Sequence, residues 1–64
     1  MTQAQEILMG LQIFSNYEGF SISVEHDTIY AGVNIENNVD VADSAYLSSL
    51  GWMDEGEGSW SRNV

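Results

Sequence analysis

Apolar positions along the chain change period from one stretch to the next, and each change marks an element. Ala4, Ile7, Leu8, Leu11 and Phe14 recur at helical spacing and make one apolar stripe. Thr2 followed by Gln5 fits a capping box, in which each side chain satisfies the other residue's backbone N–H. Asn16 and Gly19 offer stop signals. Gly10 sits inside this helix at a cost of about 1 kcal/mol against Ala, a position suited to the close approach of a strand. The period then becomes two. Phe20, Ile22 and Val24 alternate with Ser21, Ser23 and Glu25, the pattern of a half-buried strand. Thr28 to Ile35 is a second extended run, with Ile29, Ala31, Val33 and Ile35 on one face and Tyr30, Gly32, Asn34 and Glu36 on the other. The short polar link Glu25-His26-Asp27 makes the two runs a hairpin.

Asn37 and Asn38 break the alternation, and helical spacing returns. Asp40 is placed as N-cap, and Asp43 lies in the first turn, where the helix dipole favours negative charge. Ala42, Ala45, Tyr46, Leu47 and Leu50 supply the expected inner side. Gly51 suits the left-handed position after the helix, with Trp52 folding back on it. Asp54-Glu55-Gly56-Glu57-Gly58 reads as a turn, and Ser59 to Val64 as a last strand. The expectation is one α+β domain over residues 1–64, in the order α-β-β-α-β, the last element being a short strand or a hairpin. A small antiparallel sheet carries both helices on one face, the simplest way for single-faced elements to close a core. Phe20, Ile22, Val24, Ile29, Ala31 and Val33 should point inward, covered by Ile7, Leu11, Phe14, Tyr46 and Leu50.

Composition narrows the chemistry. The chain has 64 residues and no cysteine, so neither disulfide nor thiolate metal site is available. The segment Glu25-His26-Asp27 is the one cluster of titratable variety, but neighbours in an extended segment point to opposite faces and do not converge. Counting an EF-hand from Asp54 puts Gly56 and Gly58 at ligand positions, so the calcium pattern fails. No enzyme activity, cofactor or metal is expected. Trp52 and Trp60 are expected to close the core, and Tyr30 to stand on the outer face as a contact residue, since interfaces favour Tyr.

What remains is charge. Ten acids stand against one base, Arg62, for a formal net charge of −9. Repulsion of that size destabilises a small compact state, which points to a use for the acids. Direct binding to nucleic acid or an anionic membrane is disfavoured, because phosphate binding needs Lys and Arg. The opposite role fits: carboxylates presented to a basic protein surface. B-DNA carries one charge per roughly 1.7 Å, or about one per 110 Å² of its surface. A chain of this mass exposes roughly 4,000 Å², so evenly spread acids give only about one per 400 Å². Local imitation of a nucleic acid therefore requires clustering. The candidate contacts are Glu25, Asp27, Tyr30, Glu36, Asp40, Asp43, Asp54, Glu55 and Glu57.

The segment Glu25-His26-Asp27-Thr28-Ile29-Tyr30-Ala31-Gly32 and the later Leu47-Ser48-Ser49-Leu50-Gly51-Trp52 with Ser59-Trp60 are similar to small acidic proteins of phages and mobile elements. Some of these are anti-CRISPR or anti-restriction proteins that imitate DNA. The resemblance implies an inhibitor of a host nucleic-acid-binding defence complex, such as a type I CRISPR surveillance complex. Repulsion at this net charge favours a monomer. With no basic region before an apolar stretch at the N-terminus, the expected location is the cytoplasm of the bacterial host. The alternative is a small phage structural or assembly adaptor that works by strand pairing or dimerisation, through Ser59 to Val64 or Phe20 to Val24.

Overall fold

The computed structural model describes residues 1–34 and 39–64. Helix α1 (Gln3–Phe14) is followed by strands β1 (Ser21–Glu25) and β2 (Thr28–Gly32), helix α2 (Val41–Ser49), and strands β3 (Met53–Gly56) and β4 (Ser59–Asn63). The strands form one antiparallel sheet in the order β1-β2-β4-β3. The fold is α+β in the expected order, with the last element a hairpin and not a single strand. Met53–Gly56 pairs with β4 where a turn was expected from Asp54 onward. The turn itself shrinks to Glu57 and Gly58, both at positive φ, the backbone of a type I′ hairpin.

Local signals account for the helix ends. Thr2 N–H donates to Gln5 Oε1 at 2.8 Å and Gln5 N–H to Thr2 Oγ1 at 3.2 Å, closing the capping box. Asp40 Oδ1 accepts from the N–H groups of Ala42 and Asp43 and caps α2. At the far end Gly51 has φ +89, its N–H donates to Ser48 O, and Trp52 N–H reaches Leu47 O at 3.0 Å. That is a Schellman ending, and it swings Trp52 back under the helices.

Cross-strand pairing puts Ile22, Ala31 and Trp60 in one row and Val24, Ile29 and Arg62 in the next, all on the helix-bearing face. The core gathers Phe14 from α1, Leu47 and Leu50 from α2, Ala31 and Trp60 from the sheet, and Val33 and Trp52 from its margins. Phe14 meets Trp52 edge to face at 5.1 Å and Trp60 at 5.9 Å.

Several burial expectations are corrected. Phe20, Ile22 and Val24 were expected inside; Ile22 and Val24 do lie on the helix-bearing face, yet all three are exposed. The cause is position: β1 is an edge strand, while α1 lies over β2 and α2 beside β3. In α1 the buried line runs through Gly10 and Phe14, and Ala4 and Leu8 face outward. In α2, Ala42, Ala45 and Tyr46 are exposed, while Leu47 is fully buried and Asp43 and Ser44 are half-buried. Ile7 and Leu11 pack against the core and Phe14 and Leu50 lie in it, as expected, while Tyr46 is turned outward. The departures from the hydropathy stripe have reasons visible at single residues. Gly10 is approached by the Trp52 indole and not by a strand; a Cβ there would overlap the ring. The indole N–H donates to Glu6 O at 3.2 Å. On α2, Tyr17 Oη donates to Asp43 Oδ2 at 2.6 Å and accepts from Asp40 N–H at 3.1 Å, which turns the Asp43 side inward.

Candidate functional site

The sheet register assigns the acids to ends of the molecule. Thr28 pairs with both Glu25 and Asn63, so the β1–β2 turn lies beside the end of β4. Gly32 pairs with both Ser21 and Ser59, so the β3–β4 turn lies at the opposite end, about 13 Å away along β2. The link from Val33 N–H to Gly58 O and that from Asn34 N–H to Glu18 O extend this second end. Tyr17 ties the start of α2 to the same place. A cleft of about 250 Å³ opens there between Val39, Ser44, Asp54, Gly56, Glu57, Gly58 and Trp60.

Glu18, Asp40, Asp43, Asp54 and Glu57 therefore gather at one end, which carries no basic residue among the described residues. Glu25 and Asp27 flank His26 at the other end. The chain's only Lys or Arg is on that far side too. Arg62 Nη2 bridges to Glu6 Oε1 at 2.8 Å and Nε donates to Leu50 O at 3.0 Å. Arg62 thus ties α1, α2 and β4 together, a role that the charge pattern alone did not suggest. Its guanidinium supplies a cation at the C-terminus of α2, where the last carbonyls lack partners within the helix.

The sequence-derived contacts separate into kinds. Asp40 is spent on the α2 cap, Asp43 on Tyr17, Asp54 on Gly56 N–H at 2.8 Å and Glu55 on the Ser61 hydroxyl at 2.7 Å. Each still has acceptor capacity, since an ionised carboxylate offers about four lone-pair sites. Glu25, Asp27 and Glu57 accept no side-chain hydrogen bond from the described residues. Tyr30 sits mid-strand between Ser23 and Ser61, half-buried on the face away from the helices. Glu36, with Ile35, lies outside the described residues. Glu18 belongs to the acidic end by geometry; its place became visible only once Asn34 bonded its carbonyl.

The hydrogen bond to Asp43 raises the Tyr17 phenol above its ordinary value of 10.0. The bond from Asp40 N–H opposes this, and burial and the charges of Asp43 and Asp40 add to it. Among the described residues no three His, Cys, Asp or Glu side chains form a group that could hold a metal ion. No described helix is long and apolar enough to cross a membrane. No family model, no curated protein and no solved structure matches the chain.

Proposed function

We propose that the chain is a non-catalytic inhibitor that docks its acidic end on a Lys/Arg-lined protein surface of the kind that otherwise holds nucleic acid. A host defence complex, such as a type I CRISPR surveillance complex, is the setting that the sequence resemblance implies. The observation that carries the reading is the charge asymmetry: five acids and no base at one end, against Glu6, Glu25 and Asp27 with Arg62 and His26 at the other. A basic site approached by this molecule is steered toward one end of it.

Glu57 supports the same reading from a different direction. It holds φ +54 in the type I′ turn, a conformation costing roughly 1–2 kcal/mol for an ordinary L-residue. Asn would suit that position better. A carboxylate in a strained position, bonded to none of the described residues, is a candidate for function. Over the 4088 Å² of accessible surface, ten acids still average about one per 400 Å², sparser than the roughly 110 Å² per charge of B-DNA. Docking therefore relies on several separated contacts and not on a continuous copy of a phosphate backbone.

The test compares two sets of amide substitutions in displacement of target DNA from a purified type I surveillance complex. One set carries Asp40→Asn, Asp54→Asn and Glu57→Gln; Asn keeps both caps. The other carries Glu25→Gln and Asp27→Asn. The first set is expected to weaken inhibition and flatten its salt dependence, and the second to leave both near wild type. Equal loss from both sets contradicts an end-specific contact, and no inhibition by the wild type contradicts this choice of partner.

A further inference from the structure

The two edges of the sheet are built differently. Edge β3 is blunted: its pairing with β4 is irregular between Asp54 and Gly56, and it carries Asp54 and Glu55. Such bulges and charges are how sheets avoid pairing with other chains. Edge β1 has no bulge, and its one charge, Glu25, stands at its last residue. Its register with β2 is continuous from Ser21 to Glu25, and its sequence SISVE contains no Pro, Lys or Gly. Ile22 is 51% and Val24 63% exposed, on a shelf of the helix-bearing face that neither helix covers.

The backbone groups facing outward from β1 can be named. Val64 N–H donates to Asp27 O and Val33 N–H to Gly58 O, so the odd-numbered residues of β2 bond toward β4. Its even-numbered residues, Thr28, Tyr30 and Gly32, then bond toward β1, where their partners are Glu25, Ser23 and Ser21. The N–H and C=O groups of Ile22 and Val24 are left pointing away from the sheet.

We infer that β1 pairs antiparallel with β1 of a second copy of this chain, about a twofold axis at Ser23. In that register Ile22 exchanges both backbone bonds with Val24 of the other copy, and Ser21 faces its Glu25. Apolar meets apolar on the shelf, and no carboxylate directly opposes another. The two uncovered shelves become the floor of one continuous apolar surface. Antiparallel pairing also sets the two acidic ends far apart, whereas parallel pairing would bring them side by side. The contact is isologous, and the blunted β3 edges stop growth at two copies. The pairing goes beyond the docking proposal and departs from the monomer that net charge suggests. Glu18 of one copy comes near Asp27 of the other, so salt strengthens the dimer while it weakens docking on a basic surface.

Sedimentation equilibrium over a range of protein and salt concentrations, with disulfide trapping, tests the pairing. Wild type should sediment as a dimer at high concentration, more so in added salt. Val24→Lys, at a position that is exposed in the monomer, should raise the dissociation constant about tenfold or more. The chain has no native cysteine, and opposed residues in a non-hydrogen-bonded pair lie about 4.5 Å apart, within disulfide reach. Oxidised Ser23→Cys should therefore give a covalent dimer and Glu57→Cys should not. Circular dichroism of each variant confirms that the monomer is folded. A monomer at all concentrations, or equal trapping by the two cysteine variants, overturns the proposal.

Discussion

At the scale of the residue, three positions decide more than their types suggest. Gly10 leaves the space that the Trp52 indole fills. Gly10→Ala gains about 1 kcal/mol of helix propensity but overlaps a buried ring, an overpacking that costs about 1–3 kcal/mol or more. Urea denaturation is expected to show net loss; a stabilised variant would mean that Trp52 does not pack there. Arg62 joins three elements through Glu6 and Leu50 O. Arg62→Met should cost about 2 kcal/mol, within the range for charge-assisted bonds after allowance for the partly exposed Glu6. It is consequently a poor neutral control for charge experiments. Tyr17 gives a pH signature. Its folded-state pKa is raised, so its contribution is complete below the unfolded value near 10.0 and is lost as pH rises through the folded value. The stability difference between wild type and Tyr17→Phe should hold at neutral pH and shrink above about pH 10. A difference that grows there would reverse the assignment.

At the scale of the element, local signals in the sequence were enough for most of the fold. The Thr2–Gln5 box, the Asp40 cap and Gly51 each act within a few residues and are found where the sequence puts them. Period-two alternation also assigned Ile22 and Ala31 to one face. What the pattern could not supply was coverage, because burial of a strand depends on where the helices end up across the sheet. The helix faces were legible in part: Ile7, Leu11, Phe14 and Leu50 do pack on the core, whereas Ala4, Leu8, Ala42, Ala45 and Tyr46 do not, for a related reason. Hydropathy counts side chains, whereas the buried line of α1 runs through a glycine filled by a tryptophan from another element, and that of α2 includes an acid held by Tyr17. Strand β3 was hidden because Met53-Asp54-Glu55-Gly56 has the composition of a turn and becomes a strand only by pairing with β4. Its hairpin yields a prediction: Glu57→Asn should stabilise the protein by about 0.5–1 kcal/mol through turn chemistry, while weakening binding to a basic partner. Thermal melts and binding assays read the two effects separately, and a destabilised variant would contradict the turn assignment.

At the scale of the whole molecule, a domain about 30 Å in its longest dimension carries Glu18, Asp40, Asp43, Asp54 and Glu57 at one end, with no base there among the described residues. The end-to-end asymmetry was not legible in the sequence. Asp27 and Asp43 are equivalent in composition, and only the register separates them. Nor could Arg62 be seen to belong with Glu6, fifty-six positions away. The most direct measurement follows backbone amide shifts of isotopically labelled protein as an oligoarginine peptide is titrated in at low salt. The perturbations are expected at Glu18, at Val39 to Ser44 and at Asp54 to Gly58, with Glu25 to Asp27 little changed and the effect fading as salt is added. Shifts of equal size at both ends, or confined to Glu25 to Asp27, would contradict the claim that the acidic end is the one that meets a basic surface.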